Sequence, residues 1–145
     1  MVADCIFCRI AAGDEPAQVI CRDDQIMALA DIQPIRPGHT LIIPHRHHDY
    51  FDDLPPRTAS HIVHLGQRLA KAMKRLYAVP RVGFVFTGVD HPHVHAHVVP
   101  LHERTDITSR RYIAEDQLTF RPPPRAPDEE LARTAARLRL ALAET

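Results

Sequence analysis

The chain predicts an α+β fold, an antiparallel β-sheet packed with one long helix and a C-terminal helix. Three observations carry this expectation. Segment 93–99, His93-Val94-His95-Ala96-His97-Val98-Val99, alternates polar and apolar residues over its first six positions, which is the two-residue period of a β-strand. Within 55–77, Ile62, Leu65, Leu69, Ala72, Met73 and Leu76 recur by threes and fours, the spacing of one apolar helix face. The remaining strand-like runs cluster around that helix without βαβ alternation, which argues against a parallel sheet.

In chain order, residues 5–12 predict a short helix ended by Gly13, with Phe7 and Ile10 on one face. Asp14-Glu15-Pro16 is a turn. Val19–Arg22 and Gln25–Ala30, joined by Asp23-Asp24, read as a β-hairpin. Cys21 in its first strand is read as a small packing residue, ahead of a third thiol ligand. Residues 34–38 form a turn, and His39–Ile43 a strand rich in β-branched residues. Pro55-Pro56 opens the long helix, with His61 and His64 beside its stripe and therefore at the surface. Val82–Phe86 is the next strand, and a tight connection leads into the histidine strand. That strand is expected to end at Pro100, which cannot donate to a ladder. Residues 101–127, with Pro122-Pro123-Pro124 and Pro127, read as a surface loop. Asp128 is expected to cap a last helix whose stripe is Leu131, Ala135, Leu138 and Leu142.

With 145 residues and 45% hydrophobic content, the chain fits one domain, 1–145, with a real core. Lys plus Arg and Asp plus Glu balance at 18 each, so overall charge gives no reason to expect nucleic acid as a partner. No apolar run approaches ~18 residues and no secretion signal opens the chain, which predicts a cytoplasmic protein that does not enter membranes. Of three cysteines, Cys5 and Cys8 form a CxxC pair. This suits a reducing compartment and a metal better than a disulfide framework. A redox CxxC would want a βαβ context, which is missing.

Alternation sends the imidazoles of His93, His95 and His97 to one strand face and Val94, Ala96 and Val98 to the other. Three groups titrating near neutrality add little to a core and much to chemistry. A neutral imidazole attacks phosphorus when one nitrogen keeps its proton in a hydrogen bond, commonly to a backbone carbonyl, and the other presents a lone pair.

The pattern His-φ-His-φ-His-φ-φ, with φ apolar, resembles the signature of the histidine-triad (HIT) nucleotide hydrolases and transferases. Cys5-Ile6-Phe7-Cys8, Ala30-Asp31-Ile32, Pro37-Gly38-His39-Thr40-Leu41 and Ile43-Pro44-x-x-His47 follow the family's order and spacing. The resemblance covers about residues 4–102; nothing is recognised in 103–145. It implies that His95 attacks the α-phosphate of a purine nucleotide to form a nucleotidyl-histidine, which water resolves. It places His97 against the phosphoryl oxygens or the leaving group, and His39 beside them, with no metal required by the chemistry. Asp31 matches the residue that binds the ribose hydroxyls, the other reading being a turn carboxylate. Ile6, Phe7, Ile10, Leu29 and Ile32 match the wall around the base. Thr87 stands in the nucleotide site where many members carry Asn.

The resemblance also implies a structural zinc on Cys5, Cys8, His47 and His93, with His45 and His48 as competitors for the third position. It implies a homodimer through the long helix and the strand before the triad, which would otherwise be an apolar edge. The loop Thr87-Gly88-Val89-Asp90-His91-Pro92 departs from the family, being short and without Gln or Ser, so the leaving group stays open. The activity implied is hydrolysis of a nucleoside 5′-phosphoramidate or related phosphoester. Other readings are a dinucleoside polyphosphate hydrolase, a nucleotide sensor with negligible turnover, and a zinc hydrolase using His93, His95 and His97 as ligands.

Overall fold

The structure, a computed structural model, describes residues 4–88, 91–103, 105–107 and 123–145. A short helix α1 (Ile6–Ala12) precedes β1 (Val19–Arg22), β2 (Ile26–Ala30) and β3 (Thr40–Pro44). Then come α2 (Pro56–Tyr77), β4 (Arg81–Thr87), β5 (His95–Leu101) and α3 (Asp128–Ala143). The strands pair antiparallel in the order β1-β2-β3-β5-β4. The expected α+β architecture is the one the chain adopts.

Local chemistry sets the element ends. Cys5 caps α1, its sulfur receiving the Cys8 N–H at 3.5 Å. Gly13 closes that helix at φ 89°, a left-handed position that glycine takes without steric cost. In the hairpin, Asp23 Oδ1 accepts the Gln25 and Ile26 amides at 2.8 and 2.9 Å, which fixes the turn. A proline opens α2, where its missing N–H has no intrahelical partner to lose.

Register divides the sheet into two faces. Leu29, Leu41, His97 and Val85 form one rung across β2, β3, β5 and β4. The next rung, Ala28, Ile42, Ala96 and Phe86, faces the other way. Side chains of that second set pack with Ile62, Leu65, Leu69 and Met73 of α2 and with Ala135, Leu138 and Leu142 of α3. The α3 stripe and, apart from half-buried Leu76, the α2 stripe are therefore buried as their spacing predicts. On the first face, α1 lays Phe7 over Met27, Leu29, Leu41 and Ile43. All five residues of β2 and of β3 are buried, because these strands carry a helix on both sides. Cys21 packs against the α2 side, and His61 and His64 are exposed.

Four expectations need correction. β5 passes through Pro100 to Leu101: β3 pairs only with residues 96–98, so Pro100 has a partner strand on the β4 side alone and its missing N–H breaks no ladder. β3 begins at Thr40, because the His39 N–H closes the preceding turn onto Arg36 O at 3.0 Å. The triad strand begins at His95: ahead of it, the His93 amide bonds His91 O and the Val94 amide bonds His48 O, each at 2.8 Å. Asp128 is the first residue of α3 and not its cap; Pro127 holds that place, and the Asp128 carboxylate pairs with Arg125 at 2.7 Å. Of the expected loop 101–127, residues 104 and 108–122 lie outside the described residues, as do 89–90 of the connection before the triad. Residues 123–127 run beside the turn after β2, with Ala126 N–H bonding Ile32 O at 2.8 Å.

Gly38 sets His39 at the entrance to β3. Its φ is 97°, and a Cβ there would overlap the Tyr77 ring. Gly13 also has positive φ but open space around it. Gly38→Ala should therefore lower stability by about 2–4 kcal/mol, strain plus overpacking, and Gly13→Ala by only about 1–2 kcal/mol. Urea unfolding of the two variants checks the order.

A histidine cluster and a Cys2His2 group as the candidate functional site

β5 and the start of β3 bring three imidazoles together on the α1 face of the sheet. The His95 and His97 rings lie 5.0 Å apart between centroids, and His39 and His97 5.1 Å. Phe7 tilts over His95 at 5.2 Å. His39 and His95 are buried, and His97 is half-buried.

Hydrogen bonds assign a proton to each ring. His95 Nδ1 lies 2.7 Å from His93 O; a carbonyl only accepts, so the proton is on Nδ1 and Nε2 carries the lone pair. His39 Nδ1 receives the Ile35 N–H at 3.2 Å, which puts its proton on Nε2. That Nε2–H donates to His97 Nδ1 at 2.8 Å. His97 is consequently protonated on Nε2 and donates to Thr87 Oγ1 at 2.8 Å. Backbone groups at His95 and His39, and side chains at His97, thus fix the hydrogen-bonding role of each ring.

Electrostatics supports the neutral forms of His97 and His39. Burial, with smaller contributions from the neighbouring His39 and His95, pushes His97 down to about 4, against the opposing pull of Asp31. Burial also lowers His39, with Asp31 again opposing. Asp31 Oδ2 stands 3.4 Å from His39 Nε2 and 4.0 Å from His97 Nδ1. Its other oxygen accepts the Gln33 amide at 2.8 Å, so the turn uses one half of the carboxylate and leaves the other facing the histidines.

The apolar residues expected around a base divide. Phe7 and Leu29 are buried in one cluster, against which Ile6 and Ile10 pack. Ile32 is 52% exposed and belongs to no such cluster among the described residues.

A second group joins α1 to the segment before β5. Cys5 Sγ lies 3.3 Å from His93 Nδ1, and Cys8 Sγ lies 3.3 Å from His47 Nδ1 and 3.6 Å from His93 Nδ1. All four donor atoms are within 4.8 Å of one another. A tetrahedral zinc with Zn–S ~2.3 Å and Zn–N ~2.0 Å sets S···N edges of about 3.5 Å, so this donor set fits. Both rings turn the correct nitrogen inward. His93 Nε2–H is held by Pro44 O at 3.0 Å, and His47 Nε2 by Asp49 Oδ1 at 2.8 Å, which leaves each Nδ1 bare for ligation. Burial lowers His93 to about 4, with the Pro44 bond opposing, and so keeps it in the ligating form. Burial foremost raises the Cys5 thiol; a bound cation would reverse that by stabilising the thiolate.

His47, rather than His45 or His48, meets the thiols. His93, His95 and His97 do not converge on one point: His93 belongs with the cysteines, while His97 groups with His39 and Asp31. The 2.8 Å contact in the latter group is a hydrogen bond between rings. The sequence reading missed Asp49, Pro44 O and Ile35 N–H, which orient the functional rings. Two of the three are backbone groups, for which residue identity carries no signal.

The chain is similar to known proteins over most of its length. The family model described as HIT domain matches residues 12–104. An uncharacterized HIT-like protein of Methanocaldococcus jannaschii is 32% identical over 103 residues, covering 68% of this chain and 80% of that one. The adenosine 5′-monophosphoramidase of Saccharomyces cerevisiae is 35% identical over 99 residues, 68% of this chain and 63% of that protein. The crystal structure of a Zn-bound histidine triad family protein from Mycobacterium smegmatis superposes with TM-score 0.75 at 32% identity, covering 97% of this chain and 94% of that one.

The depressed His97 gives stability a definite pH dependence. Folded His97 takes its proton near 4, and an unfolded histidine near ~6.5. The unfolded chain therefore binds more protons between these values, and stability falls as pH drops through that window, by up to about 1.4 kcal/mol per pH unit for one site. The contribution is present in full above ~6.5. Denaturant titrations at pH 7, 5.5 and 4.5 should show a shallower loss for His97→Asn than for the parent; equal slopes would contradict the assignment.

Proposed function

The chain belongs to the HIT family, and from that premise we propose that it hydrolyses nucleoside 5′-phosphoramidates or related nucleoside phosphoesters at the α-phosphate. The observation that carries this reading is the locked tautomer of His95. Its Nδ1–H is held by His93 O at 2.7 Å, and the residue is only 6% exposed, so Nε2 faces the site in a fixed direction. In the first step Nε2 forms a bond to phosphorus while the bond to the leaving nitrogen or oxygen breaks, and the leaving group departs with a proton taken from solvent. Water then attacks phosphorus as the Nε2–P bond breaks, which returns a proton to solvent, releases the nucleoside monophosphate and restores neutral His95. Splitting one displacement in two lowers each barrier. The positive charge that develops on His95 in the covalent state is stabilised by the carbonyl already bonded to Nδ1.

In this reading His97 donates its Nε2–H to a phosphoryl oxygen, with Thr87 holding that proton until substrate arrives. His39 fixes the His97 tautomer. Asp31 offers Oδ2 to the ribose hydroxyls, and Phe7, Leu29, Ile6, Ile10 and Ile32 receive a purine base. Cys5, Cys8, His47 and His93 would hold a structural zinc. Bound there, it supplies a cross-link between α1 and the strand segment, and the chain's own residues perform the chemistry. Retaining free thiols for that ion suits the cytoplasm. No helix among the described residues is long and apolar enough to cross a membrane. We also read β4 as the pairing edge of a homodimer: it is an outer strand, and Phe84 and Val85 are each 38% exposed on it.

His95→Ala should still bind a nucleoside monophosphate yet lose at least ~10³-fold in turnover of an adenosine phosphoramidate. Alkaline quenching and mass spectrometry of the parent should place the nucleotidyl adduct on His95; an adduct on His97 or His39 contradicts the mechanism. Parallel assay on diadenosine tetraphosphate separates the phosphoramidase from a polyphosphate hydrolase, and tight binding without turnover of either identifies a sensor.

Purified without chelators, the chain should carry one zinc per protomer by elemental analysis, and Cys8→Ser should lose it. Zinc retained by Cys8→Ser, or no uptake of added zinc by the parent, would remove the assigned ligand set.

A further inference from the structure

A cavity lies on the sheet face opposite the histidines. About 840 Å³ in volume, it opens between the β1–β2 hairpin, the first half of α2 and the end of α3. Its floor is closed by the core residues Ile20, Ile26, Leu65 and Leu142, and its reachable apolar lining comes from exposed Pro56 and Ala143 and half-buried Cys21. Its walls are cationic, with Arg22, Arg57, Arg68 and Arg139 joined by His61 and His64.

The charge there is uncompensated. Asp23 is the one acidic residue lining the groove, and its carboxylate is already engaged by His61 at 2.6 Å and by the Gln25 and Ile26 amides. The arginines rest on neutral carbonyls: Arg139 on Val19 O and Ile20 O, Arg68 on Leu142 O at 3.4 Å, Arg22 on Ala11 O. Such bonds orient a guanidinium without cancelling its charge and leave most of its five N–H donors free. Arg57 and His64 have no hydrogen bond or ion pair with any described residue. All of this occurs in a chain whose formal net charge is zero, so the groove is a local concentration of positive potential over an apolar floor.

We propose that this groove is a second ligand site, which binds a small amphipathic anion. The apolar body lies against Pro56, Ala143 and Cys21, with the edges of Leu65 and Leu142 beneath, and a phosphate, sulfonate or carboxylate head is clamped by Arg57, Arg68 and Arg139. An uncharged apolar ligand would leave three guanidinia facing it unpaired. A bare inorganic anion would leave the floor wet. The volume suits a ligand of drug-like size, and charge-assisted contacts to a rigid guanidinium fork select the anionic head.

The test uses 1-anilinonaphthalene-8-sulfonate, an amphipathic anion whose fluorescence reports the binding, on the intact zinc-loaded protein. Saturable binding to the parent is expected, weakened at least about tenfold in the double variant Arg57→Gln/Arg68→Gln. Neither residue belongs to the nucleotide machinery, so hydrolysis by this variant should match the parent, and circular dichroism verifies its fold. Dodecyl phosphate below its micellar range should displace the probe. Inorganic phosphate, dodecanol and nucleoside monophosphate should each fail to do so at the same concentration. Binding that survives both arginine replacements, or displacement by dodecanol as effective as by dodecyl phosphate, overturns the anionic clamp. Displacement by inorganic phosphate alone overturns the amphipathic character, and displacement by nucleoside monophosphate at that concentration assigns the probe to the histidine site.

Discussion

Strand β5 must satisfy two environments at once, and the rest of the molecule is arranged around that constraint. Val94, Ala96 and Val98 are fully buried beneath α2, so the strand cannot slip by one residue without driving imidazoles into an apolar core. That register alone puts His95 and His97 on the α1 face opposite Leu41 and Val85. Small and branched side chains on the buried side are thus as responsible for the histidine geometry as the histidines are. Burial then acts a second time. It depresses His97 and His39 and so retains the neutral rings that a hydrogen-bond relay between imidazoles requires.

The same face is organised by groups that carry no side-chain identity. His93 O orients His95, Pro44 O orients His93, and Ile35 N–H orients His39. Each of these bonds leaves one nitrogen of a ring with a single possible role. His93 is the point where the two halves of the site meet: its carbonyl sets the tautomer of His95 while its ring turns to the thiols of Cys5 and Cys8. Whatever moves the His93 backbone therefore alters the direction of the His95 lone pair as well.

Much of this was legible in the sequence because it rests on periodicity. Alternation located β5, and threes and fours located the buried stripes of α2 and α3. The CxxC pair pointed to the thiols that meet His47 and His93, and the order of short motifs announced the family. What was not legible depends on neighbours remote in sequence. Pro100 reads as a strand end until one sees that β3 stops opposite Val98. Asp31 reads as either a turn residue or a ligand contact, whereas its two oxygens face different neighbours. Asp49 looks like any surface carboxylate, yet it bonds His47. The basic groove could not be anticipated, since Arg68 and Arg139 belong to separate helices whose crossing is a tertiary fact.

The sheet order has a consequence for how the chain is made. β1, β2 and β3 follow one another and can pair as soon as they leave the ribosome, but the next strand beside β3 is β5, and α2 and β4 must be synthesised first. During that interval β3 presents an open edge built from Thr40-Leu41-Ile42-Ile43, the kind of edge that recruits foreign strands. Eighty-eight positions separate Cys5 from His93, so the thiols wait through most of translation for their partner imidazole. Nascent chains stalled before residue 93 would lack the central strand β5 and hold three of the four members of the Cys/His group, and at this stage of synthesis the protein is exposed to misassembly.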